Sequence, residues 1–294
     1  MSDDFRLGAV IITMGNRPAE LNALIESVRA QQGPPVELAV VGNGAPLPVL
    51  PEGVRTVELP ENLGIPGGRN VGIELFGPDG RDVDAVLFLD DDGLLPNTDS
   101  AKLLREAFTA DPALGIVSFR IADPETGTTQ RRHVPRLRAS DPMHGSRVTT
   151  FLGGASAVRS AVFPQAGQLP AEFFYAHEET DLAWRALDAG WSIDYRPDVV
   201  LHHPATSPAR HAAYFHNVAR NRVWLARRNL PTPLVPLYLG TWFLLTVARR
   251  PSAEGLRAWL GGFRAGFREP CGPRRPMRWR TVWRLTRLGR PPII

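Results

Sequence analysis

Short apolar runs alternate with segments of helical periodicity through the first part of the chain. Strands are predicted over residues 8–13, 36–44, 54–60, 84–92 and 114–121. Helices are predicted over residues 18–31, 70–76 and 100–110. This alternation is typical of an α/β domain with a Rossmann-like, mostly parallel sheet. Ligands of such sheets bind beyond the carboxyl ends of the strands.

The pattern changes after the fifth predicted strand. Residues 122–148 are predicted as a loop or hairpin, and residues 151–163 as an apolar segment with a double glycine and a short helix. A helix is predicted over 179–189 and a strand over 192–204. Beyond them the periodicity is helical and rich in Arg. We therefore predict a main domain over 1–204 and a basic helical C-terminal region over 205–294.

Charge is distributed unevenly between these two regions. Residues 205–294 contain 17 Arg, no Lys and two acidic residues, a net charge of +15. Because the whole chain has a net charge of +4, residues 1–204 carry −11. Regions so different in charge are expected to have different partners. The basic region favours an anionic surface, either membrane lipid or nucleic acid.

Three features bear on the cellular compartment. Cys271 is the single cysteine, which excludes an internal disulfide and fits a reducing environment. The acidic N-terminus enters a predicted strand at once, so we predict no signal peptide and a cytoplasmic location. The apolar run over 234–248 has about 15 residues, fewer than the ~20 that span a bilayer.

The strand predicted over 84–92 ends in three consecutive carboxylates, Asp90, Asp91 and Asp92. Like charges this close repel each other. Alternate side chains of a strand share a face, so Asp90 and Asp92 are expected to point the same way. Two such carboxylates suit Mg²⁺ or Mn²⁺, which bind oxygen ligands and bridge to substrate phosphates. The alternative is a polar turn in which Asp caps the next segment.

The segment NLGIPGGRN, over 62–70, is rich in glycine. It matches neither the dinucleotide-binding nor the P-loop pattern. Glycine still permits close backbone approach, and N–H groups at a helix start suit a phosphate that Arg69 could pair with. The alternative is a tight turn that requires positive φ.

Seven motifs in a fixed order give the chain a family resemblance. They are VIITMGNRPAEL, VVGNGA, ENLGIPGGRNVGI, LFLDDDG, FLGGASAVRSAVF, HEETDLAWRALDAGW and YRPDVVLHH. Over about residues 8–230 the chain resembles family 2 glycosyltransferases, which are inverting enzymes with the GT-A fold. It is most similar to the branch with rhamnosyl- and galactofuranosyltransferases of bacterial surface glycans.

The resemblance implies metal-dependent sugar transfer from a nucleoside-diphosphate sugar to a hydroxyl acceptor, which would be a glycan, a glycolipid or a natural product. It implies a donor half over about 1–95 and an acceptor half over about 96–204. The implied ligands of Mg²⁺ or Mn²⁺ are Asp90, Asp92 and His202, with His203 as a competitor of His202. The implied contacts to the nucleotide and the sugars are Thr13, Asn16, Arg17, Asn43, Gly67, Gly68, Arg69, Asn70, Asp91, Gly153 and Gly154.

One motif departs from the family pattern. Family members often have Asp-Asn-Gly-Ser after the second strand, where the Asp contacts a pyrimidine base. This chain has Gly42, Asn43, Gly44 and Ala45 there. The contact to the base is therefore expected to differ.

The motif HEETDL places Glu178, Glu179 and Asp181 at the start of a predicted helix. Inverting transfer requires a base for the acceptor hydroxyl, and a carboxylate is suited to that role. The resemblance aligns Glu179 with the family's base, usually Asp, and leaves Glu178 and Asp181 as alternatives. The alternative interpretation, from the local sequence alone, is structural. These acids would stabilise the helix by interacting with the positive end of its dipole, and Asp181 would pair with Arg185.

The C-terminal helices interleave Arg with Trp, Phe and Leu, as do basic helices that lie in a membrane interface. We therefore predict peripheral contact with the inner face of the cell membrane; the alternative is packing on the main domain or an oligomer contact. Two other functions compete with sugar transfer. A nucleotidyltransferase of similar fold would need a glycine-rich basic loop after the first strand, which TMGNRPAEL lacks. A nucleic-acid-binding protein would leave the carboxylate clusters unexplained, so no nucleic acid partner is expected.

Overall fold

The chain was analysed as a computed structural model that describes residues 4–137, 141–204, 212–249 and 251–294. The strands are β1 Leu7–Thr13, β2 Glu37–Asn43, β3 Val54–Leu59, β4 Ala85–Asp90, β5 Leu114–Ala122, β6 Ser146–Arg147, β7 Ala155–Arg159 and β8 Ser192–His202. The α-helices are α1 Pro18–Arg29, α2 Gly64–Glu74, α3 Ser100–Ala110, α4 Val162–Ala166, α5 Glu178–Ala189, α6 Ala212–Asn229, α7 Leu234–Ala248, α8 Ala253–Arg268 and α9 Trp279–Arg287. Short 3₁₀ turns lie at Pro78–Gly80, Arg131–His133 and Ala171–Phe173.

All of these strands belong to one sheet, in the order β3-β2-β1-β4-β7-β5-β8-β6. β1 is parallel to β2 and β4, β2 is parallel to β3, and β5 is parallel to β8. β7 runs antiparallel between β4 and β5, and the short β6 is antiparallel to β8. The predicted α/β class with a mostly parallel sheet is confirmed.

The register of the central strands brings several loops to one edge of the sheet. Ile12 of β1 lies opposite Asp90 of β4, so both strands end at the same level. Beyond β4, Leu94 and His202 exchange two backbone hydrogen bonds of 2.8 and 2.9 Å. The end of β8 therefore lies beside the carboxylates that follow β4.

Two apolar cores lie on opposite faces of the sheet because alternate strand residues point to opposite sides. Val10 belongs to one core and Ile11 to the other. The core of Val10 also contains Val223 of α6 and Leu285 of α9. The C-terminal helices therefore share a core with the sheet. The predicted first residue of the C-terminal region, 205, lies outside the described residues.

Helix α2 begins earlier than predicted, at Gly64 instead of near Asn70. Gly64 has φ +73° and precedes Pro66, whose ring is tolerated in the first turn of a helix. A Cβ added at Gly72 would collide with Val10 of β1. The glycines of this segment therefore permit close helix–strand packing rather than forming a long loop.

Candidate active site

The carboxylates after β4 are held by side chains from the loop after β1. Thr13 donates a 2.6 Å hydrogen bond from Oγ1 to Asp91 Oδ2. Arg17 Nη1 lies 2.5 Å from Asp92 Oδ2 and 3.3 Å from Asp91 Oδ1. Burial raises the pKa of Asp91, although Thr13 and Arg17 oppose this effect. The repulsion that the sequence implies is thus offset by a hydroxyl and a shared guanidinium.

The histidine that contacts this cluster is His203, whereas the predicted cation ligand is His202. His203 Nε2 lies 3.1 Å from Asp92 Oδ1, and this hydrogen bond raises the pKa of His203. Burial alone would raise the pKa of Asp92, but His203 and then Arg17 hold it below its usual value. His202 pairs through its backbone with Leu94, and its side chain lines neither cavity described below.

The donor set at this cluster suits a divalent cation that shares its ligands with a substrate. Asp90 and Asp92 offer carboxylate oxygens, and His203 offers an imidazole nitrogen that Mn²⁺ accepts. In the described part of the chain, no three acidic, imidazole or thiol side chains are grouped to hold a cation by themselves. Mg²⁺ is commonly held by one or two carboxylates together with substrate phosphates. These residues therefore fit a cation that also binds a diphosphate.

A first cavity of about 640 Å³ opens beside the cluster. Among the predicted contact residues, it is lined by Thr13, Asn16, Arg17, Asn43, Asp90, Asp91 and Asp92. The wall is completed by residues outside the predicted set of contacts, including Asn62, Gly64, Ile65, Phe174, Tyr175, His203, Tyr214 and Asn217. The volume lies within the range of small-molecule sites.

The glycine-rich segment contributes to this cavity through its first residues. Gly64 and Ile65 line it, whereas the predicted Gly67 and Gly68 line neither cavity. A Cβ added at Gly67 would lie 2.7 Å from Leu63 Cβ, and one at Gly68 would lie 3.1 Å from the amide nitrogen of a buried side chain on β2. These two glycines therefore permit close packing with neighbouring side chains, and their contact with the donor stays a prediction.

Two asparagine amides hold α2 in place. Asn43 Nδ2 donates to the Gly64 carbonyl at 3.0 Å, and its Oδ1 accepts from the Leu63 N–H at 2.9 Å. Asn70 Nδ2 donates to the Leu169 carbonyl at 2.8 Å, and its Oδ1 accepts from the Leu169 N–H at 3.1 Å. Asn43 also lines the first cavity, but Asn70 lines neither. Asn70 therefore has a structural contact with Leu169, and its contact with the donor stays a prediction.

Asp90 lies where the first cavity meets a second one, of about 950 Å³. Arg69 also lines the second cavity and donates from Nη2 to Asp90 Oδ1 at 2.9 Å. The Arg69 side chain is 2% exposed and lies 5.5 Å from the Phe88 ring centroid. Arg69 thus belongs to the second cavity and fixes the carboxylate in the shared wall.

The double glycine before β7 makes room for two carboxylates. A Cβ added at Gly154 would collide with the Asp90 carboxylate. A Cβ added at Gly153 would collide with Glu179 Oε1 and lie 2.6 Å from Arg69 Nη1. Both glycines line the second cavity, as does Glu179. The space that we predicted for a sugar is thus partly occupied by side chains of the site itself.

The two glutamates at the start of α5 differ in their access to the second cavity. Glu178 is 1% exposed, and its Oε2 has no hydrogen-bond partner among the described residues. Burial, followed by the charge of Glu179, raises the pKa of Glu178 to about 8. Burial also raises the pKa of Glu179, against the attraction of Arg69. Glu179 is half-buried, so its carboxylate remains accessible to a group in the cavity.

Asp181, one of the predicted candidate bases, is held by side chains of α5 and α6. It is fully buried, and its Oδ2 accepts a 2.7 Å hydrogen bond from Arg185 Nε. Its Oδ1 lies 3.0 Å from Arg228 Nε and 2.6 Å from Asn229 Nδ2. Asp181 lines neither cavity. It therefore joins α5 to α6 as a structural ion pair.

The segment 174–177, between the last 3₁₀ turn and α5, has an unusual backbone. Three of its four residues have positive φ, between 62° and 74°, although none is glycine. The fully buried Asn221 of α6 donates from Nδ2 to the carbonyls of Phe173, Tyr175 and Ala176, at 2.8, 2.7 and 2.9 Å. Tyr175 lines both cavities. A helix of the C-terminal region therefore restrains a strained segment of the site.

Comparison with solved structures identifies the fold. S. aureus TarS 1–349 aligns with a TM-score of 0.59 at 15% identity, over 89% of this chain and 81% of that protein. GalNAc-T7 with UDP, GalNAc and Mn²⁺ aligns with a TM-score of 0.62 at 13% identity, over 90% and 56% of the two chains. Mannosyltransferase PcManGT from Pyrobaculum calidifontis, with GDP-Man and Mn²⁺, aligns with a TM-score of 0.54 at 18% identity, over 90% and 76%. At these identities the likeness shows the fold alone, and that fold is GT-A.

Sequence comparison identifies the family. Pre-mycofactocin glycosyltransferases of two Mycobacterium tuberculosis strains, CDC 1551 / Oshkosh and ATCC 25618 / H37Rv, are each 24% identical to this chain over 258 residues. The match covers 81% of this chain and 52% of each relative, so the chain spans about half the length of the curated relatives it matches. The model of Glycosyl transferase family 2 matches residues 9–164. Since that match covers more than half of it, the chain belongs to glycosyl transferase family 2.

Proposed function

We propose that the chain transfers a sugar from a nucleoside diphosphate to a hydroxyl acceptor, with a divalent cation and with inversion at the anomeric carbon. The observation that carries the proposal is the position of Asp90 in the wall shared by two cavities. UDP, GDP-Man and Mn²⁺ in the structural neighbours support a nucleotide-sugar donor and a cation. A hexosyl or deoxyhexosyl group is the proposed sugar, following the resemblance to rhamnosyl- and galactofuranosyltransferases.

The first cavity binds the donor. Asp90, Asp92 and His203 hold Mg²⁺ or Mn²⁺, which when bound neutralises the charge that develops on the leaving diphosphate. Arg17 is half-exposed and already balances two of the carboxylates. Asn43 fixes the start of α2 and so sets the shape of the wall next to the nucleotide.

The second cavity binds the acceptor, and Glu179 removes the proton from its hydroxyl. A raised pKa suits this role, because a base is most effective when its pKa lies near the working pH. Glu178 is mostly protonated at neutral pH, which spares Glu179 a neighbouring negative charge. Attack from the second cavity on a sugar whose diphosphate lies in the first displaces the leaving group from the opposite face. This arrangement produces inversion.

The exposed face of α7 is the proposed membrane contact, at the inner face of the cell membrane. The exposed positions of this helix are all apolar: Pro236, Leu237, Gly240, Phe243, Leu244, Val247 and Ala248. Phe243 lies 5.9 Å from Trp259 of α8, whose outer face carries Arg257, Arg264 and Arg268. An apolar strip beside arginines suits the interface of anionic lipid. Among the described helices, none has the length and hydropathy to cross a bilayer.

The test is a panel of sugar nucleotides with Mn²⁺ or EDTA, followed by kinetics of the Glu179→Gln variant. We expect E179Q to bind the donor as the wild type does, while release of nucleoside diphosphate falls about 10²- to 10⁴-fold. Glu172→Gln, at an exposed carboxylate on the 3₁₀ turn before the segment 174–177, is the matched control and should keep its activity. Normal turnover by E179Q would exclude this base. Release of pyrophosphate from a nucleoside triphosphate would instead indicate a nucleotidyltransferase.

A further inference from the structure

The second cavity is lined by more cations than anions. Its arginines are Arg69, Arg131, Arg132, Arg136, Arg222 and Arg290. Its carboxylates are Asp90, Glu178 and Glu179. Asp90 is paired with Arg69, and the pKa of Glu178 near 8 leaves that side chain mostly neutral at pH 7. The cavity therefore has a positive potential that its own acids do not balance.

Arg222 and Arg290, which come from the C-terminal region, have no carboxylate partner among the described residues. Arg222 of α6 is 8% exposed, lies 3.5 Å from the Trp242 ring centroid and donates from Nη1 to Tyr238 Oη at 3.2 Å. Arg290, after α9, is half-buried. Within the described residues, no carboxylate oxygen lies within 4 Å of either guanidinium. The Arg290 side chain makes no hydrogen bond to any described residue. Burial lowers the pKa of both groups.

Two other arginines nearby do have a carboxylate partner. Arg228 Nε lies 3.0 Å from Asp181, and Arg185 Nη2 lies 2.7 Å from the same carboxylate. A buried cation without a counter-ion is costly, and a partner ion with good geometry recovers much of that cost. The contrast indicates that the counter-ion of Arg222 and Arg290 comes from a ligand. His177, whose Nε2 is buried without a partner in the described chain, lines the same cavity.

We propose that the acceptor carries an oxyanion, a phosphate or a carboxylate, that binds to Arg222 and Arg290 in the second cavity. The inference rests on the proposed function, because it assigns this cavity to the acceptor. Guanidinium groups bind such oxyanions through paired N–H···O bonds. The oxyanion then orients the acceptor so that its hydroxyl group reaches Glu179. Neutral sugars alone would leave both arginines without a counter-ion.

The test is direct binding, which needs no turnover. n-Octyl phosphate, octanoate and uncharged octyl glucoside are titrated into the 294-residue chain by calorimetry, at constant ionic strength with EDTA present. EDTA removes cation-mediated binding at the carboxylate cluster. We expect either octyl anion to bind at least about tenfold more tightly than octyl glucoside, and the preferred anion identifies the group.

The variants locate that binding. Arg290→Gln should weaken binding of the preferred anion about tenfold or more, whereas Arg81→Gln, at an exposed guanidinium that lines neither cavity, should leave it unchanged. Arg222→Lys keeps the positive charge but loses the paired N–H donors of the guanidinium, so it should weaken binding of the anion. Circular dichroism checks that this variant is folded. Equal binding of the three ligands, or of R290Q and wild type, would overturn the inference. Anion binding without any nucleoside diphosphate release would instead refute the proposed function alone.

Discussion

Replacing Glu178 by Gln should remove a loss of stability that develops as the pH rises. Burial raises the pKa of Glu178 from 4.5 to about 8 in the folded protein. Between these values the folded state retains a proton that the unfolded chain has released, so stability falls with increasing pH. One pKa unit corresponds to about 1.4 kcal/mol. Glu178 therefore lowers the free energy of unfolding by about 1 kcal/mol per pH unit, with ~5 kcal/mol as the upper limit across the window.

Urea denaturation followed by tryptophan fluorescence measures this effect at about pH 5.5, 6.5 and 7.5. The E178Q variant should lose less stability per pH unit than the wild type, by about 1 kcal/mol. Glu20→Gln, at an exposed carboxylate of α1, is the control and should follow the wild type. Parallel pH curves for E178Q and wild type would refute the reasoning, because they would mean that folded Glu178 is already ionised at these pH values.

Other variants test the restrained segment, the cation ligand and the apolar face of α7. Asn221→Ala removes hydrogen bonds to three carbonyls of a strained backbone and should lower the free energy of unfolding by about 2–4 kcal/mol in urea; an unchanged value would argue against the restraint. His203→Ala should weaken Mn²⁺-dependent binding of a sugar nucleotide about tenfold or more in calorimetry, and His202→Ala should not; equal effects would contradict the assignment. Leu244→Asp combined with Val247→Asp should abolish sedimentation with phosphatidylglycerol vesicles at unchanged melting temperature; continued sedimentation would exclude this face as the contact.

Sequence patterns predict the centre of the sheet and one side of the site. β1 and β4 are continuous apolar runs bounded by polar turns, as expected for parallel strands that helices cover on both faces. Because ligands bind beyond the ends of parallel strands, the patterns also place Asp90 and Asp92 at the ligand-binding edge, and the family resemblance adds Thr13 and Arg17 beside the nucleotide. These side chains do line one cavity. The family resemblance adds Glu179, which a local pattern alone would assign to a helix N-terminus.

Features that depend on contacts distant in sequence escape these patterns. Gly64 and Pro66 look like loop residues, but hydrogen bonds with Asn43 of β2 and to the Phe174 carbonyl hold the start of the helix there. His202 and His203 are adjacent, and only the end point of β8 decides which of them reaches the carboxylates. Asn221 lies 45 to 48 residues from the carbonyls it binds, so no window of local sequence reveals it. The same holds for side chains of α6 that line the cavities.

The contact between Asn221 and the carbonyls of Phe173, Tyr175 and Ala176 limits how this protein can be recombined with its relatives. A crossover between the sheet and the C-terminal helices would separate a side-chain donor in one parent from backbone acceptors in the other. Because the acceptors are main-chain groups, many sequences at 173–176 are compatible with a retained Asn221. A parent that lacks the amide at that position would leave three carbonyls without their buried partner. Chimaeric proteins should therefore take residues 173–176 and α6 from the same parent.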